Sequence, residues 1–151
     1  MNILCLHGPN LNMLGQRQPE VYGTTTLLEI DDGLIELGQS LGVQVRCAQS
    51  NHEGELIDWI QQARGRVDGL LINPAGYTHT SVALRDAIIA LDVPTIEVHI
   101  SNVYKREPFR HKSLLADVCV GRLMGFGASG YKLALQGLVG LLQADPPRTP
   151  T

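Results

Sequence analysis

Short apolar runs alternate along the chain with longer segments in which apolar residues recur every three or four positions. Short apolar runs are typical of strands buried inside a parallel sheet, and the longer periodic segments are typical of amphipathic helices. The pattern predicts five strands, at residues 3–6, 43–48, 69–72, 95–98 and 118–123. It predicts four helices, at residues 26–41, 53–63, 81–91 and 129–142.

Strands that alternate with helices predict an α/β fold, here a flavodoxin-like three-layer sandwich with a five-stranded parallel sheet. Ligands of such sheets bind beyond the carboxyl ends of the strands. The segments that follow the first, third and fourth strands are therefore the candidate binding region, at residues 8–23, 73–80 and 99–112. The first segment is longer than most connections of this kind, which predicts a lid.

Composition narrows the class of protein. Acidic residues outnumber basic ones by 15 to 12, which excludes a chain that binds nucleic acid mainly through its charge. No apolar stretch is long enough to predict a membrane span, and the strand pattern at the N terminus, with no charged leader, favours a cytoplasmic protein. The three cysteines have no Cys-x-x-Cys spacing and lie among apolar residues, which predicts buried free thiols. We expect one domain over residues 1–144 and a frayed, proline-rich tail over residues 145–151.

A literal G-x-G-x-x-G motif occurs at residues 125–130, between the last strand and the last helix. A dinucleotide-binding fingerprint needs an acidic residue about 20 positions further on, and here the chain has reached its end. We interpret the glycines as packing and turn residues. A module that binds a nucleotide or flavin without catalysis is the alternative function.

The sequence lacks the usual motifs of a metal site, a serine nucleophile or a Schiff-base lysine. His52-Glu53 lacks the second histidine of H-E-x-x-H, and Ser129 does not lie in G-x-S-x-G. Ser81 is better explained as a helix N-cap. The three lysines lie in a polar loop or a helix, where a lowered pKa is not expected. We therefore expect no metal, no cofactor and no Schiff base.

Polar residues gather after the first, third and fourth strands. Glu97 and His99 are two residues apart and share a strand face, where a carboxylate can orient an imidazole. Arg17 and Tyr22 lie on the predicted lid. A guanidinium about 4 Å from a phenolate attracts it by roughly 4 kcal/mol at an effective dielectric near 20. Closure of Arg17 or Arg106 onto Tyr22 would therefore favour a tyrosinate, which is a base.

Six motifs resemble the type II 3-dehydroquinate dehydratase family over about residues 2–142. Their joint occurrence in order is far more specific than any one of them. They are HGPNLNMLG (7–15), RQPEVYG (17–23), QSNHEG (49–54), NPAGYTHTS (73–81), EVHISN (97–102) and REPFR (106–110). The resemblance implies a trans elimination of water from 3-dehydroquinate through an enolate, giving 3-dehydroshikimate, in shikimate or quinate metabolism.

The resemblance also implies catalytic roles for individual residues. Tyr22 would remove the proton alpha to the ketone, with Arg17 favouring its ionised form. His99 would protonate the departing hydroxyl, oriented by Glu97. Asn10 would hold His99 or the leaving group in place.

The remaining implied roles concern substrate binding and assembly. Asn73 would help to fix a water at the enolate oxygen, and the backbone amides of Ile100 and Ser101 would bind the substrate carboxylate. His79 and Arg110 would bind ring hydroxyls. Asp86 would reach the site from a neighbouring subunit, because the family forms dodecamers built from trimers.

The chain departs from the family pattern at two places near these residues. Gln18 stands where the family often has glutamate, which removes a charge from the lid. The order Pro74-Ala75-Gly76 also varies the usual pattern of small residues, so the water site is expected to differ slightly. Neither departure changes a proposed catalytic group.

Overall fold

Five parallel strands form one sheet in the computed structural model, which describes residues 1–144. The strands are β1 (Asn2–His7), β2 (Gln44–Gln49), β3 (Gly69–Asn73), β4 (Thr95–His99) and β5 (Gly121–Met124). Their order across the sheet is β2-β1-β3-β4-β5, with every neighbouring pair parallel. This is the strand order of flavodoxin-like sheets, so the predicted fold class is confirmed. The predicted tail at residues 145–151 lies outside the described residues.

Helices cover both faces of the sheet. They are α1 (Pro19–Tyr22), α2 (Leu27–Ser40), α3 (Glu53–Ala63), α4 (Val82–Leu91) and α5 (Ser129–Ala144). The apolar sides of α2 and α5 pack in one buried cluster, and those of α3 and α4 pack in a second one. The sheet separates the two clusters, which gives the predicted three layers.

Strand β1 illustrates how the sequence fills both clusters. Its side chains point alternately to the two faces, so Ile3 and Cys5 lie under α2 and α5 while Leu4 and Leu6 lie under α3 and α4. All four side chains are buried. A strand that is buried on both faces has to be a continuous apolar run, which is the pattern in the sequence.

Side chains that cap helices fix where two of them begin. The Ser81 hydroxyl accepts a hydrogen bond from the Leu84 backbone amide at 2.9 Å, at the start of α4. The Thr26 hydroxyl accepts one from the Glu29 amide at 3.3 Å, at the start of α2. Capping satisfies amides that the first helical turn leaves without partners, so Ser81 is an N-cap as predicted.

The structure corrects the start of the last strand and the burial of two thiols. Strand β5 begins at Gly121 rather than at residue 118, and Cys119 lies in the turn before it. Cys5 is buried as expected, but Cys47 and Cys119 are partly exposed. Cys47 lies on β2, which is an edge strand, and an edge strand has a neighbour on one side only.

The G-x-G-x-x-G segment forms the tight connection between β5 and α5. Gly125 has a φ of 92°, a conformation that side chains disfavour. A Cβ atom at Gly130 would lie 3.0 Å from the Leu123 side chain. The Gly127 amide donates a hydrogen bond to the Ile100 carbonyl at 3.0 Å. These contacts confirm the interpretation of the glycines as packing and turn residues.

The helices of the described residues differ from a membrane span in length or apolar character. None of the helices within residues 1–144 combines the length and the apolar character that crossing a bilayer requires.

Candidate active site

A cavity of about 240 Å³ lies beyond the carboxyl ends of β1, β3 and β4. It lies where the fold predicts a ligand site. Most of the residues that the sequence singled out line it, from all three of the predicted segments: Asn10, Arg17, Tyr22, Asn73, His79, His99, Ile100, Ser101 and Arg110.

Two of the predicted residues do not line the cavity. Glu97 lies behind His99 and is fully buried. Asp86 is exposed on α4 and is absent from the cavity lining of its own chain. Glu97 therefore contacts the site only through its hydrogen bond with His99, and Asp86 does not contact the site of its own chain.

Tyr22 is held between two arginines. Its hydroxyl accepts a hydrogen bond from Arg106 Nη1 at 2.8 Å and one from Arg17 Nη2 at 3.3 Å. The two guanidinium carbons lie 5.3 and 4.6 Å from the centre of the tyrosine ring. The phenol oxygen therefore lies next to two positive charges. Arg106, which the sequence offered only as an alternative to Arg17, makes the shorter contact.

The segment at residues 8–23 presents Tyr22 to the cavity. It contains a 3-10 turn at Leu11–Met13 and the one-turn helix α1, in which Tyr22 is the last residue. Gln18 and Gly23, on either side of α1, have φ angles of 39° and 79°. These positive φ angles change the direction of the chain just before and just after α1. Tyr22, at the end of α1, lines the cavity.

His99 and Glu97 form the predicted pair on β4. Their Nε2 and Oε2 atoms are 2.9 Å apart, and both residues are buried or nearly so. Burial opposes ionisation of Glu97, but hydrogen bonds from His99, Ser113 and Arg122 outweigh that effect and lower its pKa. An ionised Glu97 accepts a hydrogen bond from the N–H at His99 Nε2, which leaves Nδ1 as the nitrogen available for proton transfer.

Sequence reasoning missed the two other partners of Glu97. The Ser113 hydroxyl donates to Oε1 at 2.6 Å, and the Arg122 side chain donates to Oε2. Arg122 lies directly opposite Glu97 across the β4–β5 pairing. The signal available in the sequence was a lone arginine inside the apolar pattern of the last strand.

His79 lines the cavity, and its pKa is lowered, which favours the neutral imidazole. Burial is the main cause that lowers its pKa, and the positive charges of the site act in the same direction, while a hydrogen bond to the Lys112 carbonyl opposes them. The Nδ1 atom lies 2.7 Å from that carbonyl oxygen, so it donates the hydrogen bond. In a neutral imidazole the other nitrogen, Nε2, is then an acceptor.

Asn73 connects the cavity to the interior of the protein. Its Nδ2 atom donates to the Tyr131 hydroxyl at 2.8 Å, and its Oδ1 atom accepts from the Ala75 amide at 3.1 Å. Ala75 has a φ of 52°, which an alanine adopts only at a cost. The variation at residues 74–76 thus places a strained alanine at the cavity wall.

The other lining residues contribute main-chain groups and one positively charged side chain to the cavity wall. Ile100 and Ser101 follow β4 directly. Asn10 has a φ of 69°, and its amide donates to the Asn51 side chain at 2.9 Å. Arg110 is paired with Glu107, three residues earlier in its loop.

A larger groove, of about 440 Å³, lies at the opposite end of the sheet. Its polar lining consists of amides and two arginines, at Asn2, Gln44, Arg46, Gln62 and Arg66. Among the residues that the structure describes, no histidine, tyrosine or carboxylate side chain lines it. Side chains suited to proton transfer line the smaller cavity instead.

The chain is similar to known proteins of one family. The model of the family described as Dehydroquinase class II matches residues 1–139. A curated protein named 3-dehydroquinate dehydratase from Nostoc sp. (strain PCC 7120) is 57% identical over 143 residues, which cover 95% of this chain and 97% of that protein. A protein of the same name from Acaryochloris marina is 54% identical, with coverage of 95% and 97%.

A solved structure has the same fold as this chain. The crystal structure of type II dehydroquinase from Butyrivibrio crossotus superposes with a TM-score of 0.89 at 46% identity and covers 91% of this chain and 97% of its own. The family match and these relatives extend over nearly the whole chain. The protein belongs to the class II dehydroquinase family.

Proposed function

We propose that this protein is a 3-dehydroquinate dehydratase that removes water from 3-dehydroquinate by trans elimination through an enolate. The names of its curated relatives support the reaction. The observation that carries the mechanism is the placement of Tyr22, between two arginines, in the same cavity as His99 with its buried Glu97. One group suits removal of a proton and the other suits donation of a proton.

The first step is proton removal by Tyr22. The proton alpha to the substrate ketone is weakly acidic, so its removal needs a positioned base and stabilisation of the enolate. The guanidinium groups of Arg17 and Arg106 place two positive charges at the oxygen of the base, and Arg106 makes the shorter contact. Asn73 lies on the cavity wall, where its amide helps to fix a water molecule at the enolate oxygen.

The second step is loss of the hydroxyl with a proton from His99. A hydroxide ion is a poor leaving group, and protonation in the transition state converts it to water. Glu97 holds the imidazole through Nε2, so Nδ1 is the nitrogen that delivers the proton. Asn10 lies on the cavity wall and holds the leaving group or His99 in place.

Substrate binding uses the remaining lining residues. The backbone amides of Ile100 and Ser101 bind the carboxylate, and Arg110 contributes a positive charge and hydrogen-bond donors to a ring hydroxyl. His79 accepts a hydrogen bond from a ring hydroxyl through Nε2, since its Nδ1 is already used. Binding then orients the ring between the base and the acid.

The function also includes assembly into trimers and dodecamers. Asp86 is exposed on α4 and does not line the cavity of its own chain. In a trimer, this carboxylate would complete the site of a neighbouring subunit. Gel filtration with light scattering of the wild-type chain tests this proposal, and a protein that is monomeric at working concentration would contradict it.

The test of the proposed function is the ultraviolet absorbance of the conjugated product after addition of 3-dehydroquinate. Wild-type protein is expected to turn over, and Tyr22→Phe is expected to lose about 10²- to 10⁴-fold in kcat. Tyr104→Phe is the matched control, because Tyr104 is an exposed tyrosine near the site. Circular dichroism checks the fold of each variant.

Two further controls define the class of reaction. Turnover is expected to continue in a metal chelator and after treatment with borohydride and substrate, since the proposed steps use neither a metal nor an imine. A folded wild-type protein that does not turn over would contradict the function. A Tyr22→Phe protein with full activity would contradict the base.

A further inference from the structure

A second group of reactive side chains lies under α2, away from the catalytic cavity. Cys5 and His7 lie on β1, two residues apart and therefore on the same face, and Cys47 lies on β2 directly opposite Cys5. The two Sγ atoms and a ring nitrogen of His7 all lie within 4.8 Å of one another. The catalytic proposal uses none of these three side chains.

The spacing of the three atoms is close to that of a tetrahedral metal centre. Zinc bonds of about 2.3 Å to sulfur and about 2.0 Å to nitrogen place two bound sulfurs about 3.8 Å apart and a sulfur and a nitrogen about 3.5 Å apart. Cys5 Sγ and His7 Nε2 are 3.7 Å apart in the structure. Small rotations of buried side chains would therefore bring all three atoms around one ion.

Asp31 on α2 offers a fourth ligand. Its Oδ1 atom lies 2.7 Å from His7 Nε2, and its side chain is 23% exposed. Carboxylate oxygen, imidazole nitrogen and thiolate sulfur are the three ligand types of zinc in proteins. Cys47, on the edge strand, is also partly exposed, so these two residues give an ion a route from solvent to the buried pair Cys5 and His7.

We propose that Cys5, His7 and Cys47, completed by Asp31, bind one thiophilic divalent cation of the zinc type. Two thiolates select this class of ion over magnesium or calcium, which prefer oxygen. Binding replaces the two thiol protons, which pass to solvent, and the Nε2 proton of His7, which moves to Nδ1 in a neutral ring or to solvent from a charged one. The Asp31 carboxylate moves from the imidazole to the ion. The site is separate from the reaction and does not depend on the proposed function.

The site is connected to the catalytic cavity through two side chains. The rings of His7 and Tyr131 meet edge to face, with centres 5.5 Å apart. The Tyr131 hydroxyl accepts the hydrogen bond from Asn73, which lines the cavity. An ion bound at His7 would therefore touch the catalytic cavity only indirectly, through two packed side chains.

Cobalt(II) is the probe for the first experiment. Titration of the reduced wild-type protein with Co²⁺ in the absence of oxygen is expected to give a thiolate-to-cobalt charge-transfer band that saturates at one ion per chain, and Zn²⁺ is expected to displace it. Cys47→Ala is expected to lose the band, whereas Cys119→Ala, which removes the other partly exposed thiol, is expected to keep it. A folded wild-type protein without the band would overturn the proposal.

A second measurement needs no variant and so does not depend on folding of the mutants. Wild-type protein is alkylated with and without Zn²⁺, and the labelled peptides are identified by mass spectrometry. Zn²⁺ is expected to slow labelling of Cys47 by about tenfold or more and to leave Cys119 nearly unchanged, because a metal-bound thiolate is not free to react. Equal protection of both thiols, or of neither, would refute the site.

Discussion

Two pairs of a histidine and a carboxylate lie at the carboxyl ends of strands in this protein, and only one of them opens into the catalytic cavity. His99 ends β4 and meets Glu97 at 2.9 Å, and His7 ends β1 and meets Asp31 at 2.7 Å. Both histidines use Nε2 for this contact. The two pairs therefore have the same residue chemistry and nearly the same geometry.

The difference between the pairs lies in their surroundings. His99 lines the cavity that holds Tyr22, and its carboxylate receives further hydrogen bonds from Ser113 and Arg122. His7 is fully buried, and its neighbours are thiols. A histidine next to a carboxylate becomes a proton donor to substrate only where a substrate can reach it. Access separates the two pairs in function.

The largest expected effect is on activity, when each of the two histidines is replaced in turn. We expect His99→Gln to lower kcat by about 10²- to 10⁴-fold, the range of a lost general acid, and His7→Gln to change it far less. The measurement is the initial rate of product absorbance for each folded variant. Similar losses in both variants would remove the functional distinction between the pairs.

The next effect concerns the ion pair that holds Glu97. We expect Arg122→Met to lower the free energy of unfolding by about 3–5 kcal/mol, because it leaves a buried carboxylate without its cation. Arg85→Met is the control, since Arg85 pairs with the largely exposed Asp117 and water screens a surface pair, so a much smaller loss is expected. Urea unfolding measures both. Equal losses would mean that burial of Glu97 does not set the energy of its pair.

A smaller loss is expected at Ser113, the hydroxyl partner of Glu97. We expect Ser113→Ala to cost about 2–3 kcal/mol of unfolding free energy, because it removes a hydrogen bond to a charged group and also the acceptor of the Leu115 and Ala116 amides. Ser40→Ala is the control, because its hydroxyl bonds to the Leu37 carbonyl on the surface. A Ser113→Ala protein as stable as the wild type would indicate that Arg122 and His99 alone hold the carboxylate.

The finest distinction is the response of the two pairs to pH. The pKa of Glu97 is lowered in the folded protein, so its stabilising effect is complete above its unfolded value near 4.5 and is lost as the pH falls through the folded pKa. Burial opposes protonation of His7, but the hydrogen bond that its ring donates to Asp31 and the other interactions at the ring outweigh burial and raise its pKa above 6.5. Its stabilising effect is complete below that value and is lost as the pH rises through the folded pKa.

Matched variants test these opposite directions. The stability difference between wild type and Glu97→Gln is expected to shrink in acid, while the difference between wild type and Asp31→Asn is expected to shrink in alkali. Urea unfolding at several pH values measures both differences, with metal chelated throughout. Two differences that shrink in the same direction would show that the pairs do not differ in electrostatics.

Much of the fold and of the catalytic cavity was predictable from the sequence. Strands buried on both faces require apolar runs, and helices on both faces require apolar stripes, so the pattern along the chain determined the α/β class. The order of elements then placed the segments after β1, β3 and β4 at one edge of the sheet. The pair of Glu97 and His99 followed from the two-residue period of a strand.

The rest depended on contacts between elements that are distant in the sequence. Arg106 comes 84 positions after Tyr22, and Arg122 comes 25 positions after Glu97. The start of β5 also differed from its apolar pattern, since a strand begins where its pairing partner β4 allows hydrogen bonds. Local patterns contain no information on such pairings.

The two histidine pairs illustrate this division. The sequence by itself determined the layers of the fold, the edge where ligands bind and the residue types at that edge, because these follow from short-range periodicity and strand order. Only the tertiary structure decided that Asp31 of α2 covers His7 while His99 faces a cavity, and that Cys47 lies opposite Cys5. Strand register and helix placement set those contacts, and both are properties of the packed chain rather than of any segment of it.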